Sequence, residues 1–173
     1  SVAKIRTDLG LDQSAVSRYM SWLGGMVTGD LGTSFAQLNF QTNMGGGGGV
    51  TVAEQIAPRF ANTMFLAGVT AVIAVPIAVT LGILAALYRN TVFDRAANIL
   101  TLSSISSPEF FMAYILILFL AVLNPILPSL SNIYEGMDFS DRLEKTLLPA
   151  LTLTLVVTAH MMRMTRAAII NLL

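Results

Sequence analysis

The run from Phe60 to Tyr88 decides what this chain can fold into, because 29 consecutive residues there carry no Asp, Glu, Lys or Arg. As a helix they would extend about 43 Å at ~1.5 Å per residue, more than the ~30 Å hydrocarbon core of a bilayer. A second run, Ala96 to Leu123, holds one charge, Glu109, in 28 positions, and a third, Thr146 to Met162, counts 17 residues between Lys145 and Arg163. Backbone groups inside a bilayer find no water, so runs of this length predict helices that satisfy their own hydrogen bonds. The expected fold class is all-α, a polytopic transmembrane helical bundle with spans near 60–88, 96–123 and 143–166. Snorkelling of Lys145 and Arg163 lengthens the third span.

Composition agrees on the solvent. Of 173 residues, 54% are hydrophobic and 12% charged, where a soluble domain carries about a quarter charged residues. Ten basic residues balance ten acidic ones, which removes the electrostatic footprint of nucleic-acid binding. There is no cysteine and one histidine, so disulfide frameworks, thiolate metal sites and cysteine nucleophiles are excluded; no metal and no cofactor are expected. No leader pattern of basic, apolar and then small residues follows Ser1.

Short cytoplasmic connections are enriched in Lys and Arg, which orients the spans. The link Arg89 to Arg95 holds two arginines, and the third span exits through Arg163 and Arg166; both belong on the cytoplasmic side. The segment Asn124 to Lys145 carries Glu135, Asp138, Asp141 and Glu144 against Arg142 and Lys145, which suits the outer face. The domain organisation is then an external segment, 1–59, followed by a membrane domain, 60–173.

Within the external segment Val16, Tyr19, Met20 and Leu23 fall at i, i+3, i+4 and i+7, which predicts a short helix over 12–24 capped by Asp12. It reads as a helix on the membrane surface or against the bundle, and a soluble amphipathic helix fits the same spacing. The glycines Gly45–Gly49 read as a flexible loop or an engineered stretch. They do not form a phosphate cradle, since Val50-Thr51-Val52 supplies no lysine.

In the first span Ala67, Ala71, Ala74, Ala78, Gly82 and Ala85 draw a stripe of small residues along one helix face. Such stripes let helices approach closely in lipid, so a packing face is expected there. Pro76 cannot donate a backbone hydrogen bond and predicts a kink or an opened turn. The second span carries Ser103, Ser104, Ser106 and Ser107 before Pro108 and Glu109. These hydroxyls need water, backbone carbonyls or a polar cavity, and a carboxylate at depth marks a pathway site. If a helix starts at Pro108, Glu109 instead lies near the headgroups. His160, Met161, Met162 and Met164 read as adaptable packing with a structural histidine, a gating role for His160 being the alternative.

Three segments carry a resemblance: Leu9-Gly10-Leu11-Asp12-Gln13, Trp22-Leu23-Gly24-Gly25, and Gly29-Asp30-Leu31-Gly32-Thr33-Ser34-Phe35. With Leu148-Pro149-Ala150-Leu151-Thr152-Leu153 and Arg163-Met164-Thr165-Arg166-Ala167, they resemble the dipeptide/oligopeptide/nickel permease family of ABC importers, in its first type of permease subunit. The resemblance implies that Gly29, Asp30, Leu31, Gly32 and Ser34 form an element outside the membrane. It further implies a subunit of roughly twice this length with about six spans, so that the chain reads as part of a longer permease in the bacterial inner membrane. Implied partners are a second permease subunit, cytoplasmic ATPase subunits and an external solute-binding protein. The family's cytoplasmic coupling loop follows the position of Leu173, so this stretch alone is expected neither to transport nor to couple to an ATPase.

The expected function is translocation of peptides or related small solutes, with no catalytic residues in this chain and ATP hydrolysis on a partner. A membrane anchor without transport is the first alternative, opposed by the polar groups of the second span. An intramembrane enzyme is the second, opposed by the lack of a Gly-x-Ser-x-Gly elbow among Ser103 to Ser107.

Overall fold

The computed structural model describes residues 13–34 and 51–172. Expectations placed on Leu9 to Asp12, on Phe35 and on Gly45–Gly49 lie outside the described residues. Chain contacts divide the protein into two units, Ser1–Ala61 and Asn62–Leu173.

In the first unit, helix α1 spans Ala15–Thr28. Ser14 caps it, its Oγ accepting the Ser17 N–H at 3.2 Å, so the expected helix over 12–24 is corrected at both ends. Serine at this position satisfies an N–H that has no helical partner. Gly24 and Gly25 do not end the helix; Gly29 does, in the left-handed conformation at φ 87°, which costs a residue with a Cβ about 1–2 kcal/mol. Val16, Tyr19, Met20 and Leu23 all stand exposed in this unit.

Helix α2, Val52–Leu87, has 36 residues and begins eight positions ahead of the expected span. The cause is a reciprocal cap: Thr51 N–H donates to Glu54 Oε2 at 2.9 Å and Glu54 N–H donates to Thr51 Oγ1 at 3.2 Å. The helix runs on through Pro76 without a break.

Most of α2 and the helices that follow it belong to the second unit. Asn90 turns the chain at φ 65° and Thr91 caps α3, Val92–Ser106. A residue before proline is driven out of the helical region, and Ser107 accordingly sits at φ −90°, ψ 136°. Chain direction then changes by 105° into α4, Glu109–Ile117, which continues as a π-helical stretch, Leu118–Leu123. The expected single span over 96–123 is therefore corrected to two helices broken at Ser107-Pro108. Helix α5, Phe139–Leu172, has 34 residues and tolerates Pro149 in its interior. Proline at 149 leaves the Lys145 carbonyl without its helical donor, and Ser131 Oγ donates to that carbonyl at 2.5 Å.

Helices α2 and α5 lie parallel. Near their starts Arg142 Nη2 donates to Asn62 Oδ1 at 2.9 Å, and Phe65 meets Phe139 edge-on at 5.9 Å. Near their ends Gly82 packs against Met162 and Thr165. Contacts that advance together along both helices define a parallel pair, so the chain between them must travel back. It does: α3 starts beside Arg166 through Asp94, while Ser131 and Asn132 reach Lys145 near the start of α5. The bent pair and the link that follows it together make that return. Helices α2 and α5 are each long and apolar enough to cross a membrane, and the bent pair adds a third candidate only where its two arms count as one broken span.

Candidate functional site

The small-residue stripe is buried over one part of its length. Ala74, Ala78 and Ala85 are fully buried and Gly82 is buried with them, whereas Ala67 and Ala71 are exposed and Thr70 takes the interior position. Positions 70, 74, 78 and 82 advance four residues at a step, about 0.4 more than a 3.6-residue turn, so the contact face winds around α2. Ala67 and Ala71 fall on its outer flank, which corrects the expectation for those two.

Each serine of the break has an observable fate. Ser104 Oγ donates to the Leu100 carbonyl and Ser107 Oγ to the Ser103 carbonyl, both at 3.0 Å, while Ser103 and Ser106 are exposed. Glu109 is exposed in the first turn of α4, where a carboxylate faces the positive end of the helix dipole. Ser104 lines a cavity of about 370 Å³ together with Thr154 and Thr158 of α5. The break therefore lies alongside the middle of α5, away from either end. His160 and Arg163 are exposed, and Met162 is fully buried.

Sequence reasoning missed the strongest electrostatic feature. Arg166 Nε and Nη2 donate to the two carboxylate oxygens of Asp94 at 2.7 and 2.8 Å. Asp94 is 3% exposed and also accepts from the Asn90 N–H at 3.0 Å and from Asn98 Nδ2 at 2.8 Å. Bidentate pairing with further donors compensates the loss of solvation that burial imposes. Arg142, expected in a polar outer loop, lies instead in the first turns of α5, 4.3 Å over the Phe65 ring, a favourable cation–π position. Beside it a cavity of about 620 Å³ is lined by Asn62, Thr63, Ser131, Asn132 and Thr146. Among the described residues no three His, Cys, Asp or Glu side chains converge as a metal site.

In the first unit the Gly29 to Ser34 element is a built turn. Asp30 Oδ1 accepts the Gly32 N–H at 2.9 Å, a short side-chain turn of the kind aspartate favours. Gly32 adopts φ 75°, its carbonyl accepts the Val52 N–H at 2.9 Å, and Thr33 bridges Thr51. Leu31 and Ser34 are half-buried. A Cβ at Gly25 would come within 2.9 Å of the Asp30 carbonyl oxygen, so the turn folds back against α1. Gly29→Ala should loosen the end of α1 by ~1 kcal/mol, raising the rate of tryptic cleavage at Arg18 roughly fivefold. An unchanged rate would mean that the left-handed turn does not hold the helix end.

Residues 78–173 match the family described as binding-protein-dependent transport system inner membrane component. Over 171 residues the chain is 34% identical to a protein named as a peptide permease of Brucella suis biovar 1 (strain 1330), covering 98% of this chain and 50% of that protein. It is similarly 34% identical to a protein named as a peptide permease of Brucella ovis, over the same shares of each. The glutathione transport system permease protein GsiC of Escherichia coli (strain K12) is 32% identical over 169 residues, covering 98% of this chain and 49% of GsiC. The chain thus spans about half the length of the curated relatives it matches. The matched stretch takes in the end of α2, the broken pair and all of α5, the helices that build the second unit, and the chain belongs to the binding-protein-dependent transport family of inner membrane permease components that its sequence resembles.

Proposed function

We propose that this chain is the membrane-crossing part of an ATP-driven importer subunit that carries short peptides or related small solutes. The observation that carries the reading is the coincidence of the family match with a unit of helices long and apolar enough to cross a bilayer. Relatives named as peptide and glutathione permeases support the substrate class. In this reading ATP is hydrolysed on separate cytoplasmic chains, a second permease subunit completes the path, and an external binding protein delivers the solute across the bacterial inner membrane. The exposed Ser103, Ser106 and Glu109 at the break are the candidate pathway groups, since they are polar, lie beside the middle of α5 and are not absorbed by helix packing. Deleting the coding region from its native bacterium should abolish accumulation of labelled trialanine or glutathione, and re-expression should restore it. Uptake of both at the parental rate would overturn the assignment.

Orientation follows from the parallel arrangement of α2 and α5 together with the arginine-rich link between α2 and α3. In this reading the Asp94–Arg166 end is cytoplasmic, with 89–95 inside and 124–138 outside. The chain contains no cysteine, so single cysteines report cleanly. A membrane-impermeant thiol reagent on intact cells should modify Asp138→Cys and spare Asn90→Cys. Labelling of the second and not the first reverses the orientation.

A further inference from the structure

The cavity of about 370 Å³ between α2, the bent pair and α5 is walled by aliphatic side chains, among them Ile73, Ile77, Leu116 and Leu155, with Thr154 and Thr158 set into one side. Serine and threonine hydroxyls inside helices ordinarily bond a carbonyl three or four residues back. Thr101 donates to Asn98 O at 3.0 Å, Ser104 to Leu100 O at 3.0 Å and Thr152 to Leu148 O at 3.1 Å. Thr154 and Thr158 do not follow them. Both Oγ1 atoms are buried without a hydrogen-bond partner, and Thr154 as a residue is only 6% exposed. One helical turn apart, they face the same way, and the face they share lines the cavity.

A buried hydroxyl without a partner opposes folding, and two on one wall point to a ligand that supplies the missing atoms. No charged side chain lines the cavity, so the group bound there is uncharged. Its volume stands near the lower end of small-molecule sites, which run from about 300 to 1,000 Å³, enough for a leucine-sized group and an adjoining amide. A lipid tail offers no polar atom to the hydroxyls. Lipid headgroups and esters lie at the bilayer surface, whereas Thr154 sits about 18 Å along the helix from both Arg142 and Arg166 at ~1.5 Å per residue.

We propose that this cavity is a subsite for an uncharged aliphatic side chain and its neighbouring amide, with Thr154 and Thr158 bonding the amide; the inference rests on the transport reading and makes aliphatic peptides the favoured cargo. The test uses the transporter assembled from the full-length subunit, its partner permease, ATPases and binding protein in vesicles, with trileucine and trialanine as probes. Only a leucine-sized side chain fills the aliphatic cavity and so holds its amide against the two hydroxyls, so Thr154→Val combined with Thr158→Val should lower the efficiency of trileucine uptake about tenfold, equivalent to ~1.4 kcal/mol, and change that of trialanine, whose methyl groups are not retained there, less than twofold. Equal losses for both peptides, or no loss, overturn the subsite. Valine keeps the shape of threonine, and a binding measurement stands beside the uptake assay: trileucine should raise the Tm of the wild-type assembly by several degrees more than that of the double variant. Equal shifts in the two assemblies also overturn it. If the wild-type assembly accumulates neither peptide although its binding protein takes up both, the transport reading itself fails, and the subsite with it.

Discussion

Asp94→Ala is expected to lower the stability of the helical unit by about 3 kcal/mol, the lower end of what breaking a buried ion pair costs. The lower end applies because the Arg166 side chain keeps 23% of its surface exposed, while that of Asp94 keeps 4%. Removing the carboxylate strands the Arg166 Nε and Nη2 donors and the Asn90 N–H, and leaves Asn98 Nδ2 only its bond to the Asp94 carbonyl. Arg166→Leu should cost at least as much, since it leaves the Asp94 carboxylate, 4% exposed, with only the Asn90 and Asn98 donors to offset its burial. The double variant should cost clearly less than the two singles added, with a coupling of at least ~1 kcal/mol. An unfolding titration of the purified protein in detergent micelles measures all three. A loss below ~1 kcal/mol for Asp94→Ala would mean that the pair is a solvated contact of the kind that contributes little.

That pair explains part of what the sequence could and could not disclose. The spans were legible because a bilayer imposes a length, and no soluble arrangement needs 29 uncharged residues from Phe60 to Tyr88. The start of α2 was legible too, in Thr51-x-x-Glu54, although hydropathy drew attention to Phe60 instead. Pro108 announced a break, but a 105° change of direction depends on what the two arms pack against, and α5 provides that surface for both. Asp94 and Arg166 stand 72 positions apart, so no helical spacing links them. The only local trace was an acid in the first turn of α3 within an otherwise basic link. Ala67 and Ala71 misled for the opposite reason: spacing gives a helix face, and only the partner's crossing path decides where along that face contact ends. Similarly, nothing in Pro149 alone says that Ser131 will fill the acceptor site at Lys145. In the candidate site, the serines were found by their density before Pro108. Thr154 and Thr158 were not, because an orphaned hydroxyl is defined by the neighbours it lacks.

Gly82→Leu is expected to separate the ends of α2 and α5 and to cost more than ~3 kcal/mol, beyond the usual range for overpacking. A Cβ at position 82 would stand 2.6 Å from Thr165 Cβ, 2.9 Å from its Cγ2 and 3.0 Å from the Met162 carbonyl oxygen. Two of these atoms belong to the rigid root of a side chain and to backbone, so no rotamer change relieves them and the helices themselves must move. In lipid that movement is not resisted by hydrophobic burial; close packing of small residues is what holds the pair, and the insertion removes it. Gly82→Ala should cost about 1–3 kcal/mol by the same contact. Gly68 provides the control, since a Cβ there meets nothing within 4 Å; Gly68→Ala should be neutral or stabilising by up to ~1 kcal/mol through helix propensity. Combining Gly82→Ala with Thr165→Gly removes the opposing atoms and should recover part of the loss. Thr165 is the immediate neighbour of Arg166, so a shift of α5 at Gly82 also pulls the guanidinium from Asp94. The effects of Gly82→Leu and Asp94→Ala should then overlap, the double variant losing less than the sum. Strict additivity in the unfolding titration, or equal costs for Gly82→Ala and Gly68→Ala, would show that the two contacts do not form one clasp at this end of the bundle.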